Sequence, residues 1–133
     1  MRTISVIIFM TINCFLIIGQ EYQIKWDVSL GTPESDKLYD VISISDDNFL
    51  FAASTTDSLG YSDYYIIKTD EIGIVEWEYT YGGNNFDFLS KAIETSDGGF
   101  LLGGYARESS GSDFDFWLIK VDNRGKQEWE KFY

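Results

Sequence analysis

Residues 45 to 54 read SDDNFLFAAS, and residues 96 to 105 read SDGGFLLGGY. The two stretches lie 51 positions apart and share Ser, Asp, Phe and Leu at equivalent positions. Each begins with a polar turn and continues as a short apolar run, which is the pattern of a β-hairpin. Because an internal repeat constrains the architecture before any local detail does, this duplicated hairpin is the starting point for predicting the fold.

The repeat extends in both directions from these hairpins. Trp26, Trp77 and Trp129 are separated by 51 and 52 residues. When the segment starting at Trp26 is superimposed on the segment starting at Trp77, about fifteen positions are identical, far more than chance predicts. The matched turn residues are Asp70 with Asp122 and Gly73 with Gly125.

Each copy of the repeat predicts four short strands separated by Asp, Asn and Gly turns. The predicted strands span residues 38–44, 49–54, 64–69 and 75–81 in the first copy, and 89–95, 100–105, 116–121 and 127–133 in the second. No stretch after residue 20 keeps a helical period. Four antiparallel strands in a repeat of about 51 residues are typical of a β-propeller blade. We therefore predict an all-β fold of four-stranded antiparallel propeller-type blades.

The predicted repeat region covers residues 21–133, with blade 1 at about 36–81 and blade 2 at about 87–133. Residues 22–30 are predicted to be a strand of a preceding or closing blade. Within residues 1–20, Arg2 precedes an apolar run that ends at Gly19 and Gln20, and Cys14 lies inside that run. This pattern predicts a signal peptide, with an uncleaved anchor as the alternative. Cleavage would leave a secreted or cell-surface protein without a membrane span.

Composition excludes several classes of protein. The chain has no histidine and a single cysteine, which excludes Ser-His-Asp triads, Cys-His dyads, HExxH zinc sites and internal disulfides. The net charge of −12 is unsuited to binding nucleic acid, which needs a basic surface. An aromatic content of 17% is too high for a disordered chain.

Two family resemblances follow from the repeated residues. The stretch at 96–105, the run DFWLIKVD at 115–122 and the EWEK at 128–131 resemble repeats of secreted β-propeller-like proteins of Bacteroidota, which belong with seven-bladed propeller and kelch-like repeats. That resemblance implies a large exported protein with many repeats, often with a C-terminal sorting domain, so this chain is predicted to be a truncated fragment. The Asp-x-x-Gly-x-x-x-Trp pattern ending at Trp77 and at Trp129 also resembles the tryptophan-docking turns of pyrroloquinoline-quinone-type propellers.

Recurrence separates structural residues from candidate functional ones, since a residue needed to build every blade recurs whereas a catalytic residue occurs once. The recurring Asp, Gly and Trp positions are therefore predicted to be structural: Trp26, Trp77, Trp129, Asp70, Gly73, Asp122 and Gly125. The single-copy acids are the better functional candidates: Glu34, Asp40, Asp57, Glu71, Glu94, Glu108 and Asp113. The copies differ most in the loops at 55–62 and 107–114, where candidate binding residues are Asp57, Tyr61, Glu108 and Asp113.

These observations predict a non-enzymatic scaffold or binding module at the cell surface or outside the cell. Its predicted partners are an unknown protein or carbohydrate and further blades of the same or a longer chain. No cofactor is predicted, although the loop at 109–115 could offer oxygen atoms to calcium. One alternative is a propeller enzyme, either a polysaccharide hydrolase or lyase or a quinone-dependent dehydrogenase. The other is a structural adhesin or spacer.

Overall fold

The chain forms eight β-strands arranged as two separate sheets. The computed structural model describes residues 26–109 and 111–133. Sheet 1 contains β1 (Ser35–Ser43), β2 (Phe49–Thr56), β3 (Ser62–Thr69) and β4 (Val75–Tyr81), and sheet 2 contains β5 (Asp87–Glu94), β6 (Phe100–Ala106), β7 (Asp115–Val121) and β8 (Gln127–Phe132). Both sheets are antiparallel meanders in which each strand pairs with the next along the chain.

The predicted all-β fold with two four-stranded antiparallel sheets is confirmed. Most observed strands are longer than predicted because polar residues at their ends also join the ladders. For example, Thr55 pairs with Asp63, so the connection between β2 and β3 shrinks to residues 57–61. The predicted signal segment lies outside the described residues. Within the described ranges, no helix is long and apolar enough to cross a membrane.

Tight turns at one end of the sheets are built by the repeated Asp and Gly positions. The Oδ1 atom of Asp70 accepts hydrogen bonds from the backbone N–H groups of Ile72 and Ile74, at 3.0 and 2.8 Å. Asp122 makes the equivalent pair of bonds at 2.9 Å each. Gly73 and Gly125 follow at φ angles of +84° and +80°, which side chains disfavour. Local backbone chemistry therefore accounts for the recurrence of both residue types.

The two sheets pack face to face in a head-to-tail order. We call the face that carries Tyr64 and Ile66 the leading face of sheet 1, and the opposite face, with Tyr65 and Ile67, its trailing face. The same names apply to the equivalent residues of sheet 2. The leading face of sheet 1 packs against the trailing face of sheet 2, and the two form one buried cluster. Its members include Leu50, Ala52, Tyr64 and Ile66 from sheet 1, and Leu89, Phe100, Leu102, Trp117 and Ile119 from sheet 2.

A repeated tryptophan contact joins β4 to the neighbouring sheet. The ring of Trp77 lies 6.0 Å from that of Phe100, and a Cβ atom added at Gly125 would lie 3.1 Å from Trp77. Aromatic side chains contribute large buried areas at such contacts. The ring of Trp77 therefore lies over the turn that contains Gly125, where there is no room for a side chain.

The same contact occurs once more, on the trailing face of sheet 1. There Trp26 lies 5.7 Å from Phe49, and a Cβ atom at Gly73 would lie 2.9 Å from its ring. Leu30 packs against Tyr65 and Ile67 on the same face. The strand predicted over residues 22–30 begins outside the described residues, and its described part runs as an irregular segment across sheet 1.

Candidate functional site

Three connections lie together at one end of the two sheets, opposite the turns that contain Asp70 and Asp122. They are the segments 57–61, 82–86 and 107–114, of which residue 110 lies outside the described chain. Phe86 forms an isolated parallel bridge with Ser62, and its backbone oxygen accepts a hydrogen bond from the N–H of Arg107 at 3.2 Å. The 82–86 connection therefore links the 57–61 connection to the 107–114 connection. We call this region the loop end.

An aromatic cluster occupies the loop end. It consists of Tyr61, Phe86, Phe88, Tyr105 and Phe114. Centroid distances between neighbouring rings run from 5.2 Å for Phe88 and Tyr105 to 6.4 Å for Phe86 and Phe88. Such spacings are typical of interacting aromatic pairs. Because Tyr105 and Phe114 remain substantially exposed, the cluster offers part of its ring surface to solvent.

Arg107 adds a charged group to the cluster. The carbon at the centre of its guanidinium group lies 4.5 Å from the centroid of Phe114 and 6.0 Å from that of Phe86. These distances fit cation–π contacts, which hold the guanidinium plane in place. Its Nε atom is buried and has no hydrogen-bond partner among the described residues. The loop end therefore combines flat apolar rings with an oriented hydrogen-bond donor.

The four candidate binding residues have different surroundings. Tyr61 belongs to the aromatic cluster, at 5.6 Å from Phe86. Asp57 instead stabilises its own loop, because its Oδ1 accepts from the N–H groups of Leu59 and Tyr61 at 2.8 and 2.9 Å. Glu108 and Asp113 are exposed on the 107–114 connection. The structure therefore brings Tyr61 into the cluster, whereas Asp57 lies in the turn beside it.

Sequence analysis missed most of the cluster. Phe86, Phe88, Tyr105 and Phe114 each stand where the other copy of the repeat has a small or polar residue: Ser35, Lys37, Ser54 and Ser62 respectively. Recurrence was used to select single-copy candidates among the acids alone. Applied to aromatic residues, it would have selected these four side chains, because each is an aromatic ring present in only one copy.

The recurring charged residues form two matching ion-pair groups away from the loop end. The Nζ atom of Lys68 contacts Asp46 at 3.0 Å and also Glu76. That of Lys120 contacts Asp97 at 3.1 Å and Glu128 at 2.9 Å. Burial alone would lower the pKa of both lysines, but the carboxylates outweigh it and hold each pKa above its ordinary value. Hydrogen bonds from Thr95 and Gly99 lower the pKa of Asp97 to about 2.

Two buried carboxyl groups lie close together beneath the loop end. Burial and, to a smaller extent, the charge of the neighbouring Asp63 raise the pKa of Asp87 to about 6, although the backbone N–H groups of Arg107 and Gly83 act in the opposite direction. Burial also raises the pKa of Asp63. Its Oδ1 atom is buried without a hydrogen-bond partner among the described residues. The pair therefore favours a protonated carboxyl group in the folded state.

We expect Asp63→Asn to reduce the pH dependence of stability between pH 4.5 and 7. In the unaltered protein, Asp87 has a folded-state pKa of about 6, above the ordinary value of 3.8. Its protonated form therefore stabilises the fold fully at pH values below 3.8, and this stabilisation is lost as the pH rises through 6. Removing the charge of Asp63 lowers that pKa and should add about 1 kcal/mol at pH 7. Thermal unfolding followed by circular dichroism at several pH values measures the change.

Asp115→Asn is the matched control for that experiment. Asp115 occupies the repeat position of Asp63 in sheet 2, next to the sheet face against which no further described sheet packs. The Asp115→Asn substitution should leave the pH dependence of stability unchanged. An identical profile for Asp63→Asn and the unaltered protein would contradict the coupling of the two carboxyl groups.

The single-copy acids do not converge. Asp40 lies 3.5 Å from Lys91, and Glu94 accepts hydrogen bonds from Ser45 at 2.6 and 2.9 Å. Glu34 is exposed before β1, Glu71 is exposed in the turn between β3 and β4, and Glu108 and Asp113 are exposed on the 107–114 connection. Within residues 26–109 and 111–133, no group of three or more carboxylates is arranged to hold a metal ion. No carboxylate pair suited to glycoside hydrolysis is thus assembled from the single-copy acids.

Comparison with known proteins adds no assignment. No protein-family model matches the chain, and no curated protein matches it significantly. The resemblance to secreted propeller-like repeats therefore stays a prediction from the residues themselves.

Proposed function

We propose that this protein is an exported, non-enzymatic binding scaffold made of propeller-type blades, and that its loop end contacts the ligand. The observation that carries the proposal is the convergence of single-copy side chains there. The aromatic cluster and Arg107 come from three connections and from the adjoining ends of β5 and β6, and none of these side chains is required by the repeat. Function is commonly carried by loops that a rigid scaffold positions.

The chemistry of the acids favours a binding role over an enzymatic one. Several recurring carboxylates are engaged in turns and ion pairs, as Asp70 and Asp97 illustrate, whereas Asp63 and Asp87 lie close to each other. Single-copy acids lie apart from one another. General acid–base catalysis needs a positioned donor and acceptor within reach of one reacting atom. The alternative of a polysaccharide hydrolase or lyase, or of a quinone dehydrogenase, would depend on the Asp63–Asp87 pair, in which Asp87 is buried away from solvent.

A neutral saccharide is the ligand that best suits the loop end. Flat ring faces such as those of Tyr105 and Phe114 can pack against the apolar face of a sugar ring, and Arg107 can donate hydrogen bonds to its hydroxyl groups. The net charge of −12 disfavours an anionic glycan. A protein ligand would also contact the exposed aromatic rings, so it is the alternative to the saccharide.

A binding screen against immobilised neutral oligosaccharides tests this proposal. Phe114→Ala should weaken binding to any positive oligosaccharide about tenfold, which corresponds to the loss of one stacking contact of about 1.4 kcal/mol. Trp129→Ala is the matched control, since Trp129 is 41% exposed against 42% for Phe114 but lies on β8, away from the cluster. It should bind normally.

Two outcomes would contradict the proposal. An array with no binding would exclude the saccharide ligand. Release of new reducing or unsaturated ends from a polysaccharide by the purified protein would support the enzyme alternative instead.

A further inference from the structure

Among the described residues, no further sheet packs against the leading face of sheet 2, although its sequence matches a buried face. Phe116 stands at the repeat position of Tyr64, and Leu118 at that of Ile66. Tyr64 is fully buried against sheet 2, whereas Phe116 is 72% exposed. The exposed face contains an apolar groove of about 460 Å³, lined by residues that include Gly103, Tyr105, Phe116 and Leu118. The leading face of sheet 2 therefore carries the apolar residues of an interface, but no partner sheet among the described residues covers it.

The missing half is present elsewhere on the same chain. On sheet 1, Leu38 stands at the repeat position of Leu89, and Val41 at that of Ala92. Leu89 is completely buried in the interface between the sheets, but Leu38 is 58% exposed. In the existing interface, β5 is the strand of sheet 2 that lies closest to β1, β2 and β3. Its counterpart β1 thus offers the same apolar residues to solvent.

We propose that two copies of this chain associate head to tail, with β1 of one copy docked on the open leading face of sheet 2 of the other. The interaction reproduces between chains the packing that already joins sheet 1 to sheet 2 within one chain, once the segment from Trp26 to Leu30, which packs on the trailing face of sheet 1, has moved aside. Such an interface is heterologous, since each copy contributes a different surface. It does not depend on the ligand proposed above.

Charge complementarity supports this arrangement. Asp40 and Lys91 occupy equivalent repeat positions, carry opposite charges and lie 3.5 Å apart across the existing interface. Applying the same relation between chains places Lys91 of one copy against Asp40 of the next. A pairing of identical surfaces would instead bring two Lys91 side chains towards each other. The alternation of sign therefore favours the head-to-tail order over a symmetric dimer.

The segment around Trp26 limits the strength of this association. Trp129 stands at the repeat position of Trp77, so in the docked arrangement it would lie over Gly73 of the second copy, where that copy's own Trp26 now packs. Tyr133 likewise stands at the position of Tyr81, whose hydroxyl donates to the backbone oxygen of Gly125. Because a tethered segment competes for the same site, we expect a reversible association that depends on protein concentration. Closure into a ring of roughly four to eight sheets would take two to four copies.

Sedimentation equilibrium on residues 1–133 and on residues 21–133 tests the proposal. The unaltered protein should form oligomers as its concentration rises. Phe116→Asp damages the open face of sheet 2, and Leu38→Asp damages the face that docks there. Each variant alone should remain monomeric, but an equimolar mixture should form a 1:1 complex, because each variant retains the surface that the other lacks. Leu59→Asp, an exposed substitution on the 57–61 connection, should associate like the unaltered protein.

The remaining outcomes overturn the proposal. The first is an unaltered protein that stays monomeric at all concentrations. The second is a loss of association in Phe116→Asp but not in Leu38→Asp, which would indicate a symmetric interface. The third is a mixture of the two variants that forms no complex. Both substituted side chains are exposed, so thermal unfolding of each variant should match that of the unaltered monomer. A variant that fails this check is replaced by Phe116→Ser or Leu38→Ser, with the same expectations.

Discussion

Replacing Tyr64 by Ala is expected to lower the free energy of unfolding by about 3 to 5 kcal/mol, the range for deleting a buried aromatic ring. The side chain of Tyr64 is fully buried between the sheets, and its ring lies 4.7 Å from that of Trp117. Its hydroxyl also donates a hydrogen bond to the backbone oxygen of Trp117 at 3.1 Å. The substitution therefore removes both packing and a buried hydrogen bond at the centre of the interface.

Phe116→Ala provides the matched control for Tyr64→Ala. The two positions are equivalent in the repeat, but Phe116 faces solvent in a single chain. Its replacement should cost less than about 1 kcal/mol. Urea unfolding at a protein concentration low enough to prevent association gives both values. Equal losses at the two positions would contradict the head-to-tail packing of the sheets.

Gly125→Ala is expected to destabilise the protein by about 2 to 4 kcal/mol, because two costs add. The first is the positive φ of +80°, which an L-residue disfavours. The second is steric, since the new Cβ atom would collide with the ring of Tyr79 and lie 3.1 Å from that of Trp77. Relieving the collision would push β4 away from the turn between β7 and β8.

Gly98→Ala separates the two costs. Gly98 also has a positive φ, of +79°, but a Cβ atom there would meet nothing within 4 Å. It should therefore show only the backbone cost of about 1 kcal/mol. The same urea titration measures both variants. A Gly125→Ala protein as stable as Gly98→Ala would show that the tryptophan-to-turn contact contributes little to holding the sheets together.

The strands and tight turns could be predicted because their signals are local. A run such as 116–121 is apolar and rich in residues that favour strands, and Asp122 and Gly125 satisfy the backbone of the turn that follows it. Recurrence at 51 or 52 residues then showed that the same unit occurs twice. None of these inferences depends on which residues of one copy contact residues of the other copy.

The candidate site was only partly predictable, since it depends on contacts across the repeat. Tyr61 was selected from its loop, but its partner Phe86 lies in the connection between the sheets. The carboxyl groups of Asp63 and Asp87 come from different sheets, and each alone resembles a recurring structural Asp. Burial and their proximity together raise the pKa of Asp87, and no pattern along the chain indicates that they meet.

The amino-acid sequence by itself determined the number of repeats, the all-β class, most of each strand and the chemistry of the tight turns. Those features arise from interactions between residues close together along the chain. Only the tertiary structure decided which side of each sheet is buried. Tyr64 and Phe116 occupy the same position in the same pattern, and one is buried while the other is exposed, because burial depends on whether a neighbouring sheet is present to exclude water.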